Sequence, residues 1–132
     1  MKAVFCAIVF VLIICFLPTC DKTEAKEHVL EGKYIGIFHR TGMDTAQVNI
    51  NFTNNVFTGT SNKANYPATC SGNFDIEDNS ISFSDACAWT ADFDWSLILS
   101  GTYDLQIING TVRIWRTTGS VTDEYLLRQP MK

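Results

Sequence analysis

Positive charge is scarce in this sequence, and it does not cluster. The chain of 132 residues has 10 Lys and Arg against 14 Asp and Glu, which gives a formal net charge of −4. Nucleic acids and anionic membrane surfaces attract proteins that carry a basic run or stripe. The charge balance therefore argues against a nucleic-acid partner and against electrostatic attachment to a bilayer.

Histidine and the common catalytic motifs are also scarce. Only His28 and His39 occur, and no histidine lies C-terminal to residue 40. The sequence has no C-x-x-C redox pair and no glycine-rich phosphate loop. We therefore expect no metal ion, no cofactor and no histidine-based catalytic triad.

One carboxylate pair has a spacing that acid–base catalysis can use. Asp92 and Asp94 stand at i and i+2, and on a strand such side chains lie roughly 6.5–7 Å apart, a distance compatible with glycoside hydrolysis. A domain of this length offers little room for the convergent pocket that catalysis needs. We therefore expect a protein that is not an enzyme.

Long hydrophobic runs are confined to the N-terminus. Lys2 precedes an uninterrupted apolar run over residues 3–17. A helix of that length spans about 22 Å, which is shorter than a hydrocarbon core of about 30 Å. A basic start and a short apolar run are typical of a secretory signal, which we assign to residues 1–19. A permanent membrane anchor is the alternative.

The end of this run has a Leu three residues before a Cys, at Leu17 and Cys20, with Pro18 and Thr19 between them. The arrangement resembles a bacterial lipobox, in which the Cys becomes the lipidated first residue of the mature protein. The resemblance implies that Cys20 carries acyl chains such as palmitate and anchors the protein to a membrane of the cell envelope, facing the periplasm or the cell surface. Residues 20–30 then form a flexible tether, because 21–27 are polar and lack apolar periodicity.

The remaining cysteines fit an exported protein. Cys6 and Cys15 lie in the signal segment and Cys20 is the lipidation candidate, which leaves Cys70 and Cys87. Two thiols outside the cytoplasm usually oxidise together. We predict a Cys70–Cys87 disulfide that closes a loop of about 16 residues and stabilises the domain by roughly 3 kcal/mol.

From residue 31 onward, apolar and polar residues alternate with a period of two, most clearly over residues 45–52. The alternation predicts strands at 33–40, 45–52, 56–60, 69–76, 80–83, 91–107, 111–117 and 122–128. Turn motifs separate them, and Asn109-Gly110 is the strongest because a type I′ turn needs positive φ at both positions. The pattern predicts an all-β domain over residues 31–128, an eight-stranded antiparallel up-and-down barrel, with a β-sandwich as the alternative.

The segment 91–107 is long for a flat strand, so we expect a bend or bulge at Ser100-Gly101. Its parity directs Phe93 and Trp95 toward the interior. The predicted interior set is Val48, Ile50, Phe52, Phe74, Ile76, Ile81, Phe83, Phe93, Trp95, Leu97, Leu99, Leu105, Ile107, Val112 and Ile114.

Two short motifs stand at the ends of the predicted barrel. Gly32-Lys33-Tyr34 opens the first strand, with Tyr34 where lipocalins carry Trp in a Gly-x-Trp motif. Arg128 closes the last strand, where such barrels often place a basic residue against that aromatic. On these motifs, residues 31–128 resemble the small lipocalin-like (calycin-type) barrels of bacterial lipoproteins. The resemblance implies a ligand-binding barrel.

Aromatic and acidic residues are densest over residues 85–95. In a functional interpretation Trp89 stacks on a sugar, and carboxylates on the face opposite Phe93 and Trp95 accept its hydrogen bonds. In the alternative, these aromatics pack in the core and the carboxylates lie on a solvated rim. The candidate ligand-binding residues are Tyr66, Trp89, Asp92, Asp94 and Trp95.

Two functions of different classes follow from this pattern. The first is a monomeric, non-enzymatic envelope lipoprotein that binds a small or glycan-like ligand at one end of the barrel. The second is a solid barrel that acts as a protein-interaction or enzyme-inhibitor module. A cavity of roughly 300 Å³ or more favours the first, and a filled interior with an exposed apolar patch favours the second.

Overall fold

Strands that carry one apolar face can bury that face and pair every edge when the sheet closes on itself. The computed structural model describes residues 28–90 and 92–132, which form a closed antiparallel barrel. The strands are β1 (Gly32–Arg40), β2 (Ala46–Thr53), β3 (Val56–Ser61), β4 (Ser71–Glu77), β5 (Ser80–Asp85), β6 (Gly101–Ile108), β7 (Thr111–Thr118) and β8 (Val121–Arg128). The predicted eight-stranded up-and-down barrel is confirmed.

The predicted signal segment, the lipidation candidate Cys20 and the tether up to residue 27 lie outside the described residues. Within the described ranges, no helix is both long enough and apolar enough to cross a bilayer.

Side-chain alternation and turn chemistry agree along most of the barrel. In β2, buried and exposed residues alternate without exception. The β2–β3 turn has positive φ at Asn54 and Asn55, and the β6–β7 turn has it at Asn109 and Gly110. Asn and Gly tolerate this left-handed conformation, and two such residues twist a hairpin in the same sense as its strands. The predicted Asn109-Gly110 turn is confirmed.

Large side chains fill the barrel interior. Aromatic rings pack edge to face along it: the centroids of Phe52 and Phe74 lie 4.9 Å apart, and those of Phe57 and Phe83 lie 5.2 Å apart. Eight strands enclose a space that side chains can just fill. The largest side chains with less than 2% exposure are those of Tyr125, Phe38, Phe52, Phe57, Ile50, Ile81, Leu99, Ile114, Leu127, Val48, Val112 and Pro67.

Some predicted positions differ from those observed. Ile76 and Ile107 are partly buried and pack against the core from its margin. Tyr34 is buried, whereas Arg128 is exposed on the outside of the wall, so the two residues do not share a face. The interior aromatics Tyr103 and Tyr125 keep their protons well above neutral pH, since burial raises the pKa of Tyr103 to about 12 and also raises that of Tyr125 well above its ordinary value.

The two ends of the barrel are built differently. At one end, here called the turn end, the chain enters at residues 28–31, and the turns at 54–55, 78–79 and 109–110 are short. At the other end, here called the loop end, the connections span residues 41–45, 62–70, 86–100 and 119–120. Long connections carry most binding sites because they tolerate irregular backbone that a rigid scaffold holds in place.

The prediction of one strand over 91–107 is wrong. The strand β6 begins at Gly101, and residues 92–100 lie outside any strand, with a 3-10 turn at Trp95–Leu97. The expected break is present, because Gly101 has φ of +89°. The alternation of apolar and polar residues predicted that Phe93 and Trp95 face the interior. Instead, Phe93 is half-buried and Trp95 is 58% exposed.

Gly36 and Gly72 mark places where the wall approaches itself too closely for a side chain. A Cβ atom on Gly36 would overlap the carbonyl oxygen of Leu126 in β8, and one on Gly72 would overlap that of Ser84 in β5. The backbone cannot move aside to relieve such an overlap, whereas the flexible end of a side chain can.

We expect Gly36→Ala to lower the free energy of unfolding by about 1–3 kcal/mol in urea titrations. Ser84→Ala, at an exposed position, is the control and should change it by less than about 0.5 kcal/mol. Equal stability of the two variants would contradict the expected clash.

Candidate functional site

The β5–β6 loop, residues 86–100, is the longest connection at the loop end. Its C-terminal half is ordered by Asp94, which caps the 3-10 turn: Oδ1 of Asp94 accepts a 2.9 Å bond from the amide of Ser96 and a 2.6 Å bond from its hydroxyl. A carboxylate is a favoured cap because it satisfies the free N–H groups at the start of a helical turn. The cap presents Trp95 outward and Leu97 inward.

Arg40 fastens this turn to the barrel wall. Its guanidinium donates to both carboxylate oxygens of Asp123, at 2.6 and 2.8 Å. It also donates to Oδ2 of Asp94 at 2.9 Å, and to the hydroxyl and carbonyl oxygens of Ser96 at 2.9 and 3.2 Å. These contacts use all five N–H donors of an arginine. Arg40 and Asp123 are buried register partners on β1 and β8, so the loop is attached to a fixed point of the sheet.

A second attachment holds the other end of the loop. Cys87 forms a disulfide with Cys70, which confirms the predicted bridge. The indole N–H of Trp89 donates to Oδ2 of Asp85 at 2.7 Å. The backbone of Ala68 pairs with Leu97 and Leu99, with both N–O distances 3.0 Å. The loop is therefore fixed on both sides, and its surface side chains are held in place before any ligand arrives.

Three aromatic side chains form a continuous row on the outside of this loop, here called the aromatic ridge. It consists of Trp89, Phe93 and Trp95. The ring centroids of Trp89 and Phe93 lie 5.6 Å apart, and those of Phe93 and Trp95 lie 6.3 Å apart. Trp89, the predicted stacking residue, thus lies beside Phe93 and Trp95, which the strand assignment had placed in the interior.

Two grooves flank the ridge. One has a volume of about 540 Å³ and is here called the Trp95 groove. The second, of about 240 Å³, is here called the Trp89 groove. Residues lining the Trp95 groove include Asp85, Trp95, Ser96, Ser100, Arg116 and Thr118. Residues lining the Trp89 groove include Thr60, Ser61, Lys63, Asn65, Thr69 and Trp89.

Charged groups at these grooves are paired with one another. Arg116 donates to the carbonyl of Ser100 at 2.8 Å, lies 3.8 Å from a carboxylate oxygen of Asp123 and stacks 4.4 Å from the ring centroid of Tyr103. The ammonium of Lys63 lies 3.9 Å from a carboxylate oxygen of Asp44. Each cation thus has an anion close by, and neither groove presents a field of one sign.

Two buried oxygen atoms of the described residues have no hydrogen-bond partner: Oδ1 of Asp85 and Oγ1 of Thr69. Asp85 lines the Trp95 groove and Thr69 lines the Trp89 groove. Leaving a buried polar atom unsatisfied costs about 1–3 kcal/mol, so a hydrogen-bond donor that reached either oxygen would stabilise it.

A larger groove, of about 570 Å³, lies at the turn end between residues 28–31 and the hairpins at 54–55 and 78. Leu30 closes the barrel beneath it and is 3% exposed. The aromatic residue that lines this groove, Phe74, is buried and contacts Phe52. The loop end is the stronger candidate because Trp95 is exposed there.

The predicted ligand-binding residues do not all meet. Trp89 and Trp95 lie on the ridge, and Asp92 is exposed in the same loop. Tyr66 is buried, packs 5.2 Å from Phe38 by ring centroids and donates its hydroxyl to the carbonyl of Asp44 at 2.6 Å. The carboxylate of Asp94 accepts hydrogen bonds from Ser96 and Arg40 within the capped turn. The site therefore draws on Trp89 and Trp95 and leaves Tyr66 inside the barrel.

Sequence reasoning missed Arg40, Asp123 and Arg116. A signal for the first two was present. Arg40 shares the inward parity of Phe38, and Asp123 shares that of Tyr125, so each is a charge at an interior position of a strand. Because buried charges are almost always paired, two such residues on strands that meet in an up-and-down barrel indicate an ion pair.

The pKa of Asp94 lies below its usual range, mainly because the hydroxyl and amide of Ser96 donate to the carboxylate, with a further contribution from Arg40. A lowered folded-state pKa means that this carboxylate stabilises the fold above its unfolded-state pKa, and that the effect is lost as the pH falls through the folded-state value. We expect the amide resonance of Ser96 to shift with pH with a midpoint below about 3.9, the ordinary value for Asp. The step should be absent in Asp94→Asn, and a midpoint at or above 3.9 would contradict the cap.

The same ionisation bears on catalysis. A carboxylate with a lowered pKa is a poor general acid near neutral pH, so Asp94 does not suit the proton-donating role in glycoside hydrolysis. Among residues 28–90 and 92–132, no group of three His, Cys, Asp or Glu side chains is placed to hold a metal ion.

No protein-family profile, curated protein or solved structure matches this chain.

Proposed function

We propose that this protein is a non-enzymatic lipoprotein of the bacterial cell envelope, anchored through Cys20, that binds saccharide ligands at the Trp95 groove. The observation that carries the binding role is the exposure of Trp95, at 58%, on a loop fastened to the barrel at both ends. A large aromatic side chain held rigidly in water loses little conformational freedom when a ligand covers it.

The chemistry of the Trp95 groove suits a sugar. The face of an indole packs well against the apolar C–H face of a sugar ring, because it offers a large flat apolar area. Sugar hydroxyls need both donors and acceptors at the edge of such a platform. Ser100 and Thr118 provide hydroxyl groups, Arg116 provides N–H donors and Asp85 provides a carboxylate. A few polar groups beside an apolar surface fix the orientation of a small ligand.

The site proposed here is on the surface rather than inside the barrel. The interior is occupied by aromatic and branched side chains at less than 2% exposure, which argues against the enclosed ligand that the lipocalin-like resemblance implies. That resemblance stays a prediction.

Membrane attachment fits this location. The chain reaches β1 at the turn end, so a lipid on Cys20 would draw the turn end toward the bilayer. The ridge and its grooves lie at the opposite end and would face away from the membrane, toward ligands in the periplasm or the medium. Loss of palmitate labelling in Cys20→Ala is the expected result, and equal labelling of this variant and the wild type would remove the lipoprotein assignment.

A protein partner is the second candidate function. A filled interior together with an exposed aromatic row is the pattern expected of an interaction or inhibitor module, and Trp and Arg dominate the energetics of protein interfaces. This alternative uses the same surface, so one experiment separates the two.

The experiment uses the protein purified from its own membranes in detergent. Native mass spectrometry and tryptophan fluorescence would measure binding of a panel of neutral mono- and oligosaccharides to the wild type, Trp95→Ala and the control Trp115→Ala. Trp115 lies half-buried on the outer wall, 4.2 Å from the guanidinium of Arg113. We expect Trp95→Ala to weaken saccharide binding at least about tenfold and Trp115→Ala to leave it unchanged.

Two outcomes would overturn the saccharide proposal. One is binding of no saccharide in the panel. The other is equal binding by Trp95→Ala and the wild type. A protein that co-purifies with the wild type and is lost in Trp95→Ala would establish the second candidate instead.

A further inference from the structure

We infer that the aromatic ridge and its two grooves form one elongated site, which takes an uncharged oligosaccharide of several units instead of a single sugar. This inference rests on the proposed saccharide binding and adds the length, the charge and the path of the ligand.

The path follows from the positions of the two tryptophans. Trp95 lines one groove and Trp89 lines the other. Phe93 bridges them, with ring centroids 5.6 Å from Trp89 and 6.3 Å from Trp95. The three rings therefore connect the two grooves. A chain of sugar rings lying along the ridge would reach polar groups on both sides.

The Trp89 groove has the lining expected of a second subsite. Thr60, Asn65 and Thr69 offer uncharged donors and acceptors there. Oγ1 of Thr69 is buried and lacks a partner, as is Oδ1 of Asp85 beside the other groove. Both unsatisfied oxygens found among the described residues thus belong to residues that line the two ends of the same ridge.

The charge pattern selects an uncharged chain. In the Trp89 groove the only charged lining residue is Lys63, which lies near Asp44 and 5.6 Å from the ring centroid of Tyr66. In the Trp95 groove, Arg116 lies near Asp123. Both cations therefore have an anion close by, and the carboxylate of Asp85 accepts from the indole N–H of Trp89. An acidic polysaccharide thus gains little over a neutral chain at either groove.

The test measures how affinity depends on ligand length. Dissociation constants would be determined for the full-length protein in detergent with neutral gluco-oligosaccharides of one to six units, in both α- and β-linked series. We expect affinity in the series that binds to rise about three- to tenfold with each ring that gains an aromatic contact, and to level off once the ridge is covered.

Variants identify the second subsite. Trp89→Ala should keep the affinity for the shortest ligand and lose the increase with length, whereas Trp95→Ala should weaken every ligand. Trp89→Phe keeps a ring without the N–H that donates to Asp85, and it should retain the length dependence even if Trp89→Ala disturbs the loop. Trp115→Ala should match the wild type throughout.

The failure of this inference differs from the failure of the proposed function. If one sugar unit binds as tightly as six, and if Trp89→Phe and Trp89→Ala both match the wild type, the elongated site is disproved while saccharide binding stands. Tighter binding of a uronic-acid oligomer or a lysine oligomer than of any neutral chain would overturn the charge assignment. If no saccharide binds, both proposals fall.

Discussion

Replacing Arg40 with Met is expected to lower the free energy of unfolding by about 3–5 kcal/mol. Arg40 is 8% exposed, and its guanidinium forms a bidentate pair with Asp123, which is 6% exposed. Removing one member of a buried pair leaves the other charge without compensation, and this is costlier than the net contribution of the pair itself. Methionine retains the aliphatic stem of the side chain, so the effect reports on charge and hydrogen bonding more than on packing.

The same substitution should loosen the β5–β6 loop, since Arg40 also holds Asp94 and Ser96. Urea unfolding would give the stability, and hydrogen exchange at Ser96 and Leu97 would report on the loop. Arg128→Met removes an exposed arginine from the outer wall and should cost less than about 0.5 kcal/mol.

The double variant Arg40→Met with Asp123→Leu tests the physical reason. It should recover much of the loss, because no charge is left buried without a partner. The buried-pair argument would be contradicted if Arg40→Met lowered the free energy of unfolding by less than about 1 kcal/mol, or if the double variant were less stable than Arg40→Met.

Removing the Cys70–Cys87 disulfide has the second large expected effect. The two cysteines are 17 residues apart, and cross-linking a loop of that length lowers the entropy of the unfolded chain by an amount equivalent to roughly 3 kcal/mol. We expect Cys70→Ser with Cys87→Ser to lower the free energy of unfolding by about that amount while the barrel stays folded, since the strands on either side pair independently of the bridge.

Reductant provides the matched comparison. Treatment of the wild type should bring its unfolding midpoint in urea down to that of the double serine variant, and the variant itself should not respond. Fluorescence of Trp89 should also change, because the bridge holds the loop next to Asp85, to which Trp89 donates. A wild type that keeps its midpoint in reductant would show that the bridge does not stabilise the domain.

The outcome over residues 91–107 shows where pattern reading fails. Alternation in a strand arises because neighbouring strands hold the backbone extended and its two faces differ in solvent exposure. Residues 92–100 alternate too, but Arg40 donates to the hydroxyl of Ser96, and Ala68 pairs with Leu97 and Leu99. These contacts join residues far apart in the chain, so no local period reports them. Phe93 and Trp95, assigned to the core on parity, therefore lie on the aromatic ridge, where Phe93 is half-buried and Trp95 is exposed.

The sequence by itself determined the all-β class, the two-residue turns and the pairing of Cys70 with Cys87, and it favoured the closed barrel over a sandwich. Each depends on short-range chemistry: the two-residue period, the left-handed conformation that Asn and Gly tolerate, and the number of thiols left to oxidise. Only the tertiary structure decided that the interior is full, that Arg40 holds the β5–β6 loop and that Trp89, Phe93 and Trp95 share one surface. These features depend on which residues meet across the closed sheet, and that is set by packing of the whole barrel.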